Sequence, residues 1–181
     1  MELSTDPIIN VVLNGIKREI RVVLENGCLR AVVILIYSGI DSMAFLGMPA
    51  GQTDVTAEDF ISWVDRYVHF PCADQLTGND LYGARCAMLH RYGSESRKSR
   101  KGECRQVGYL DRSVPEVRFN PAVSTGLALV SVPALAAAFF AGVDRYLVDL
   151  YKDSRRGKLA DERLKTMAHI LPNPLAKKGA D

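Results

Sequence analysis

The stretch "CLRAVVILIYSGIDSMAFLGMP", residues 28–49, decides the fold. Its apolar residues fall on nearly every side of a helical projection, and a helix that is hydrophobic all round is buried. One carboxylate, Asp41, interrupts the run, and Gly47 and Pro49 end it. The segment reads as a central core helix against which its neighbours must pack.

Working outward, Ile8, Ile9, Val11, Val12, Ile16, Ile20, Val23 and Leu24 recur mostly every third or fourth position. That spacing predicts an amphipathic helix from about Asp6 to Glu25, stopped or kinked at Asn26-Gly27. Beyond the core helix, Thr56 stands three residues before Asp59 in a capping arrangement, and Phe60, Trp63, Val64 and Tyr67 form the buried face of a third helix. "GNDLYGARCAMLHRY", residues 78–92, is a fourth helix, with Asn79 or Asp80 as N-cap and Gly93 as its stop.

The polar, basic "GSESRKSRKGECRQ", residues 93–106, reads as a mobile loop. "CRQVGYL", "PEVRF" and "LALVSV" follow as three short strands with turn residues between them. A long helix then runs from Pro133 to about Asp153, and "ADERLKTMAHIL", residues 160–171, is a terminal helix. The expected fold is mainly α, a single domain over 1–181. It has a four-helix core (6–93), a basic loop and small β insertion (94–132), closing helices (133–170) and a polar tail (171–181).

Bulk properties bound the function. A chain of 181 residues buries one sizeable core, and 48% hydrophobic with 24% charged residues excludes a mainly disordered chain. The net charge of +2 does not by itself mark a nucleic-acid binder. Cys28, Cys72, Cys86 and Cys104 form no C-x-x-C pair and the chain has three histidines, so no metal site and no cofactor are expected. Reduced cysteines and the absence of a secretory pattern in "MELSTDP" point to the cytoplasm. Residues 121–143 carry no charge over a length that could span a bilayer. Their Ser, Thr, Gly and Pro133, and their alanine-rich composition, read instead as a strand followed by a helix, so no membrane is expected.

The chemistry-bearing feature is "ARCAMLHRYG", residues 84–93, with four residues between Arg85 and His90 and Tyr92 two places on. Spacing alone is weak: fifteen arginines, three histidines and three permitted spacings yield roughly 0.7 matches by chance. A second match does occur, "RLKTMAH", Arg163 to His169. Context favours the first, which lies on the fourth helix just before a run of cations.

"LYGARCAMLHRY" resembles the R-x4-6-H motif of HEPN-domain proteins, in the R-x4-6-H-x-Y form of HEPN toxins; the resemblance covers about Ile8 to Gly93. It implies a helical bundle that dimerises and acts as a metal-independent ribonuclease, with Arg85 and His90 as the catalytic pair in a shared cleft. It also marks Tyr92 as the position that a partner nucleotidyltransferase antitoxin would adenylylate. Cys86 departs from the polar residue often found at its position in the family.

The residue types suit that chemistry without the family name. Histidine titrates near neutrality and can take or give the proton of RNA cleavage, while arginine stays charged and offers forked donors to a phosphorane. Five residues of α-helix turn by about 500°, which leaves Arg85 and His90 about 140° apart around the axis. A symmetric dimer would line one cleft with two copies of each. Asp41 is placed to orient His90 or Arg85, or to pair structurally, or to lie in an exposed turn; Tyr37 and Ser38, one turn earlier, could line the same cleft. Arg91, Arg97, Lys98, Arg100, Lys101 and Arg105 follow the motif closely and suit an RNA backbone. Competing with the ribonuclease is a noncatalytic HEPN-like module that binds a nucleotide or a protein partner. A structural bundle with an accidental motif is the third reading.

Overall fold

In a computed structural model the chain is described over residues 6–111 and 116–167. Among these, a continuous helix α1 (7–25) is followed by α2 (Leu29–Gly47), α3 (Ala57–Tyr67), α4 (Gly78–Arg91) and the short α5 (Arg97–Arg100). Strands β1 (Gln106–Leu110), β2 (Val117–Phe119) and β3 (Leu127–Ser131) precede α6 (Val132–Tyr151) and α7 (Ser154–Leu164). The architecture is mainly helical with a small sheet, as the sequence pattern predicts.

Helix α2 is the central element, packed against α1, α3, α4, α6 and α7. Val32, Val33, Ile36, Tyr37, Ile40, Met43 and Leu46 are buried along it. By length and composition α2 could cross a membrane, with mean hydropathy 1.7 over a window that is 50% buried inside the fold. Its close approach to α6 depends on Gly39, where a Cβ would stand 2.7 Å from the Phe139 ring. Any side chain there must displace the buried Phe139 ring.

Helix α1 departs from regular α geometry. Residues Asn10–Lys17 form a π-helical segment, so the buried positions step from Val12 to Lys17 rather than by three or four. The wider turn carries the Lys17 ammonium against α6, where it donates to Asp144 at 2.6 Å. Three- and four-residue periodicity cannot anticipate that shift.

The sheet has strand order β1-β3-β2, with β1 parallel to β3 (Gln106 opposite Leu127) and β2 antiparallel to it (Val117 opposite Val130). Val107, Val117, Ala128 and Val130 face the core. The uncharged run 121–143 breaks between β3 and α6, where the buried Ser131 caps the helix and Pro133 occupies its first turn.

Several local expectations are corrected. The N-cap of α4 is Thr77, and Asp80 is the third residue of its capping box. Helix α4 ends at Arg91 with Tyr92, not Gly93, in the left-handed conformation (φ 53°). The basic stretch contains α5, capped by Ser96 and Ser99, where a loop was expected. The terminal helix begins six residues early, at Ser154, and stops at Leu164. His169 and the polar tail lie outside the described residues.

Candidate functional site

Helix α4 buries one face and presents another. Leu81, Gly83, Ala84, Ala87 and Met88 are buried, whereas Tyr82, Arg85, Cys86 and Leu89 are half-buried and His90 is exposed. At about 100° per residue these five form one stripe, with Leu89, Tyr82 and Cys86 filling the arc between Arg85 and His90.

Asp41 reaches this stripe from α2. Its Oδ2 accepts from Arg85 Nε at 3.0 Å and Arg85 Nη2 at 2.8 Å. Of the orientations open to Asp41, the fold selects Arg85 and not His90. Both side chains stay partly wetted, 28% exposed for Asp41 and 24% for Arg85. A guanidinium has five N–H donors, so pairing through two of them leaves others for an incoming anion. Burial disfavours the Arg85 charge, yet hydrogen bonding and attraction from Asp41 outweigh it and push the guanidinium pKa further up. Tyr82 lies beside the pair, its phenol pushed up by burial and by a hydrogen bond with Cys86.

The His90 side chain makes no hydrogen bond or ion pair among the described residues and lies at the opposite edge of the stripe from Arg85. Ser38 is exposed on the Asp41 side of α2. Tyr37 is not a cleft residue: it is fully buried, and its hydroxyl shares a 2.6 Å hydrogen bond with that of Tyr109. Burial pushes the Tyr109 phenol up to about 12, against a small opposing effect of Tyr37.

Of the basic residues, Arg91, Arg97, Arg100 and Lys101 are exposed. Lys98 stands over the Tyr82 ring, 5.8 Å from its centroid, and donates to Asn79. One cation of the basic segment thus borders the α4 stripe. Arg105 is spent internally: its Nε and Nη2 donate to Asp80 Oδ2 at 3.1 and 2.6 Å, and Nη2 also donates to the Gln75 carbonyl. The second motif arginine, Arg163, donates to the carbonyls of Leu46, Met48 and Pro49 and so caps the end of α2.

Sequence reasoning missed a cleft of about 530 Å³ on the far side of the α4 terminus. Arg30, Val33, Met88, Tyr92 and Tyr109 line it. Tyr92 is 62% exposed at its edge. No sequence signal joins Arg30 to Tyr109, which meet only because α2 and β1 flank the same end of α4. Among the described residues no group of three or more His, Cys, Asp or Glu is gathered as a metal site. No protein-family model, curated protein or solved structure matches the chain.

Proposed function

We propose that the chain is a HEPN-like, metal-independent ribonuclease that cuts single-stranded RNA. The observation that carries this reading is the Arg85 guanidinium, oriented by Asp41 on the wetted stripe of α4 that also holds the exposed His90. In the proposed reaction one His90 takes the proton from a ribose 2′-hydroxyl, whose oxygen attacks the adjacent phosphorus. Arg85 stabilises the charged phosphorane, and the departing 5′-oxygen takes its proton from the second His90 of a homodimer, leaving a 2′,3′-cyclic phosphate. Asp41 is a positioning residue for Arg85.

A homodimer suits this surface because Ile34, Leu35 and Phe45 of α2 and Tyr82 and Leu89 of α4 are only half-buried and make its wetted face apolar. Arg91, Arg97, Lys98, Arg100 and Lys101 would hold the RNA backbone by phosphate contacts. A role as a cytoplasmic toxin or phage-defence component follows, with Tyr92 exposed enough for modification by an antitoxin nucleotidyltransferase.

A second reading, a noncatalytic HEPN-like module binding a nucleotide or protein partner, is favoured by the angle of about 140° that helix geometry puts between Arg85 and His90 within one chain. The test is incubation of the purified protein with single-stranded RNA in EDTA. Cyclic-phosphate ends that vanish in Arg85→Ala and His90→Ala support the ribonuclease. RNA left intact by a wild-type dimer rejects it in favour of the module.

A further inference from the structure

The cleft of about 530 Å³ at the end of α4 takes no part in the proposed cleavage chemistry. Its volume lies within the range of about 300–1,000 Å³ common to sites for small molecules. Its floor is apolar, with Val33, Met88 and Val132 each at most 6% exposed. Its charges balance, with Arg30 on the α2 side and Asp111 just beyond β1. The Arg30 guanidinium makes no hydrogen bond or ion pair among the described residues, whereas Asp111 is already engaged. Opposite charges side by side do not select a free anion. An apolar floor with polar lips suits a flat, neutral ring.

Tyr92 supplies the accessible aromatic surface of this cleft. It is 62% exposed, while Tyr109 across from it is tied to the buried Tyr37 through their hydroxyls. The Tyr92 backbone is left-handed, with φ 53° and ψ 27°. The other positive φ values among the described residues belong to Gly27, Gly51 and Gly102. A bulky side chain is strained in that region and glycine is not. Gly93 follows directly, so a helix one residue longer would have put glycine there. The fold keeps Tyr92 in place instead: its N–H donates to the Met88 carbonyl at 3.0 Å, and the Gly93 N–H donates to the Ala87 carbonyl at 3.1 Å. Strain of this kind persists at ligand clamps and active sites. The ring is thus presented to the cleft from a fixed cap.

The cleft also continues the candidate site along the chain. Tyr92 follows His90 by two residues, Arg91 between them is exposed, and Arg97, Arg100 and Lys101 are exposed in the next segment. Single-stranded RNA is recognised through unstacked bases laid on aromatic rings while cations hold its backbone. That is the combination found at this end of α4.

We propose that the cleft is a base subsite for single-stranded RNA. One unstacked nucleobase near the bond that is cut enters it, stacks on Tyr92 and accepts a hydrogen bond from the Arg30 guanidinium. The inference rests on the reading of the chain as a ribonuclease and assigns to it the means of choosing where to cut.

The test uses the full-length protein and 2′-fluoro RNA octamers, which lack the attacking hydroxyl. One octamer is intact, and each of the others lacks the base at a single position. In the wild type, loss of the base at one position should weaken binding about tenfold, and in Tyr92→Gly no position should stand out. Glycine adopts a positive φ freely, so Tm should not fall in this variant and the lost discrimination is not unfolding. Tyr92→Phe returns the ring without its hydroxyl and should restore the penalty. A penalty that survives in Tyr92→Gly, or no distinct position in the wild type, overturns the subsite while RNA cleavage in EDTA still upholds the ribonuclease. An intact octamer that does not bind overturns the subsite too, and unmodified RNA left uncut by the same preparation would show that the ribonuclease reading fails with it.

Discussion

Helix α4 takes part in two arginine–aspartate pairs with nearly the same hydrogen bonds and opposite consequences. At its first turn Asp80 is buried, its side chain 4% exposed, and its oxygens accept from Arg105 Nε, Nη2 and backbone N–H and from Thr77 N–H. Five residues later Arg85 meets Asp41 with both side chains about a quarter exposed. A pair whose carboxylate is desolvated and has its acceptors filled is a clamp, and removing the arginine strands a buried carboxylate. A half-wetted pair costs less to break and keeps donors for a ligand. Burial therefore separates the structural pair from the candidate functional one.

The comparison breaks most readily at Asp80. Asp80→Ala should cost about 2–5 kcal/mol, because the Thr77 capping box and the hydrogen bonds from the charged Arg105 are lost together; urea unfolding measures it, and a loss below about 1 kcal/mol would mean that the clamp is not structural. Next in size is activity at the other pair. Arg85→Ala should reduce RNA cleavage by about 10²–10³-fold while moving the urea midpoint little, and equal losses of stability at Arg85 and Asp80 would erase the distinction.

Acid sharpens it further. Burial pushes the Asp80 carboxyl up, but hydrogen bonds from Arg105 and Thr77 outweigh that and hold it below the usual carboxylate range. Its contribution is present above the unfolded value of about 3.9 and is lost as pH falls through the lower folded pKa. Stability measured against pH should fall across that window in the wild type, and Asp80→Asn should flatten that part of the curve. The smallest effect belongs to Asp41→Asn, expected to cost at most about 1 kcal/mol of stability. Its signature is a rise in KM or fall in kcat for RNA with the unfolding curve almost unchanged.

How much of this was legible in the sequence follows from the range of each interaction. The all-round apolar run identified α2, and the Thr56 and Asp59 spacing identified the start of α3, because both depend on residues a few positions apart. The break of residues 121–143 at Ser131 and Pro133 was readable for the same reason. Asp80 was seen as a helix-start residue, but its clamp on Arg105 spans 25 residues and leaves no local trace. The basic run looked uniform, although Arg105 is sequestered and Lys98 is drawn over Tyr82. Tyr37 looked like a cleft residue because it lies one turn before Asp41; helix rotation turns Tyr37 inward to Tyr109.

By itself the sequence determined the helical class, the order of the elements and the residue types able to perform acid–base and phosphate chemistry, since hydrophobic period and capping are encoded over one or two turns. Only the tertiary structure decided that Asp41 holds Arg85 across 44 residues of chain, and that the His90 side chain has no partner among the described residues. Burial and partner choice belong to the packed whole, where desolvation sets the cost of every polar group and only spatial neighbours can repay it.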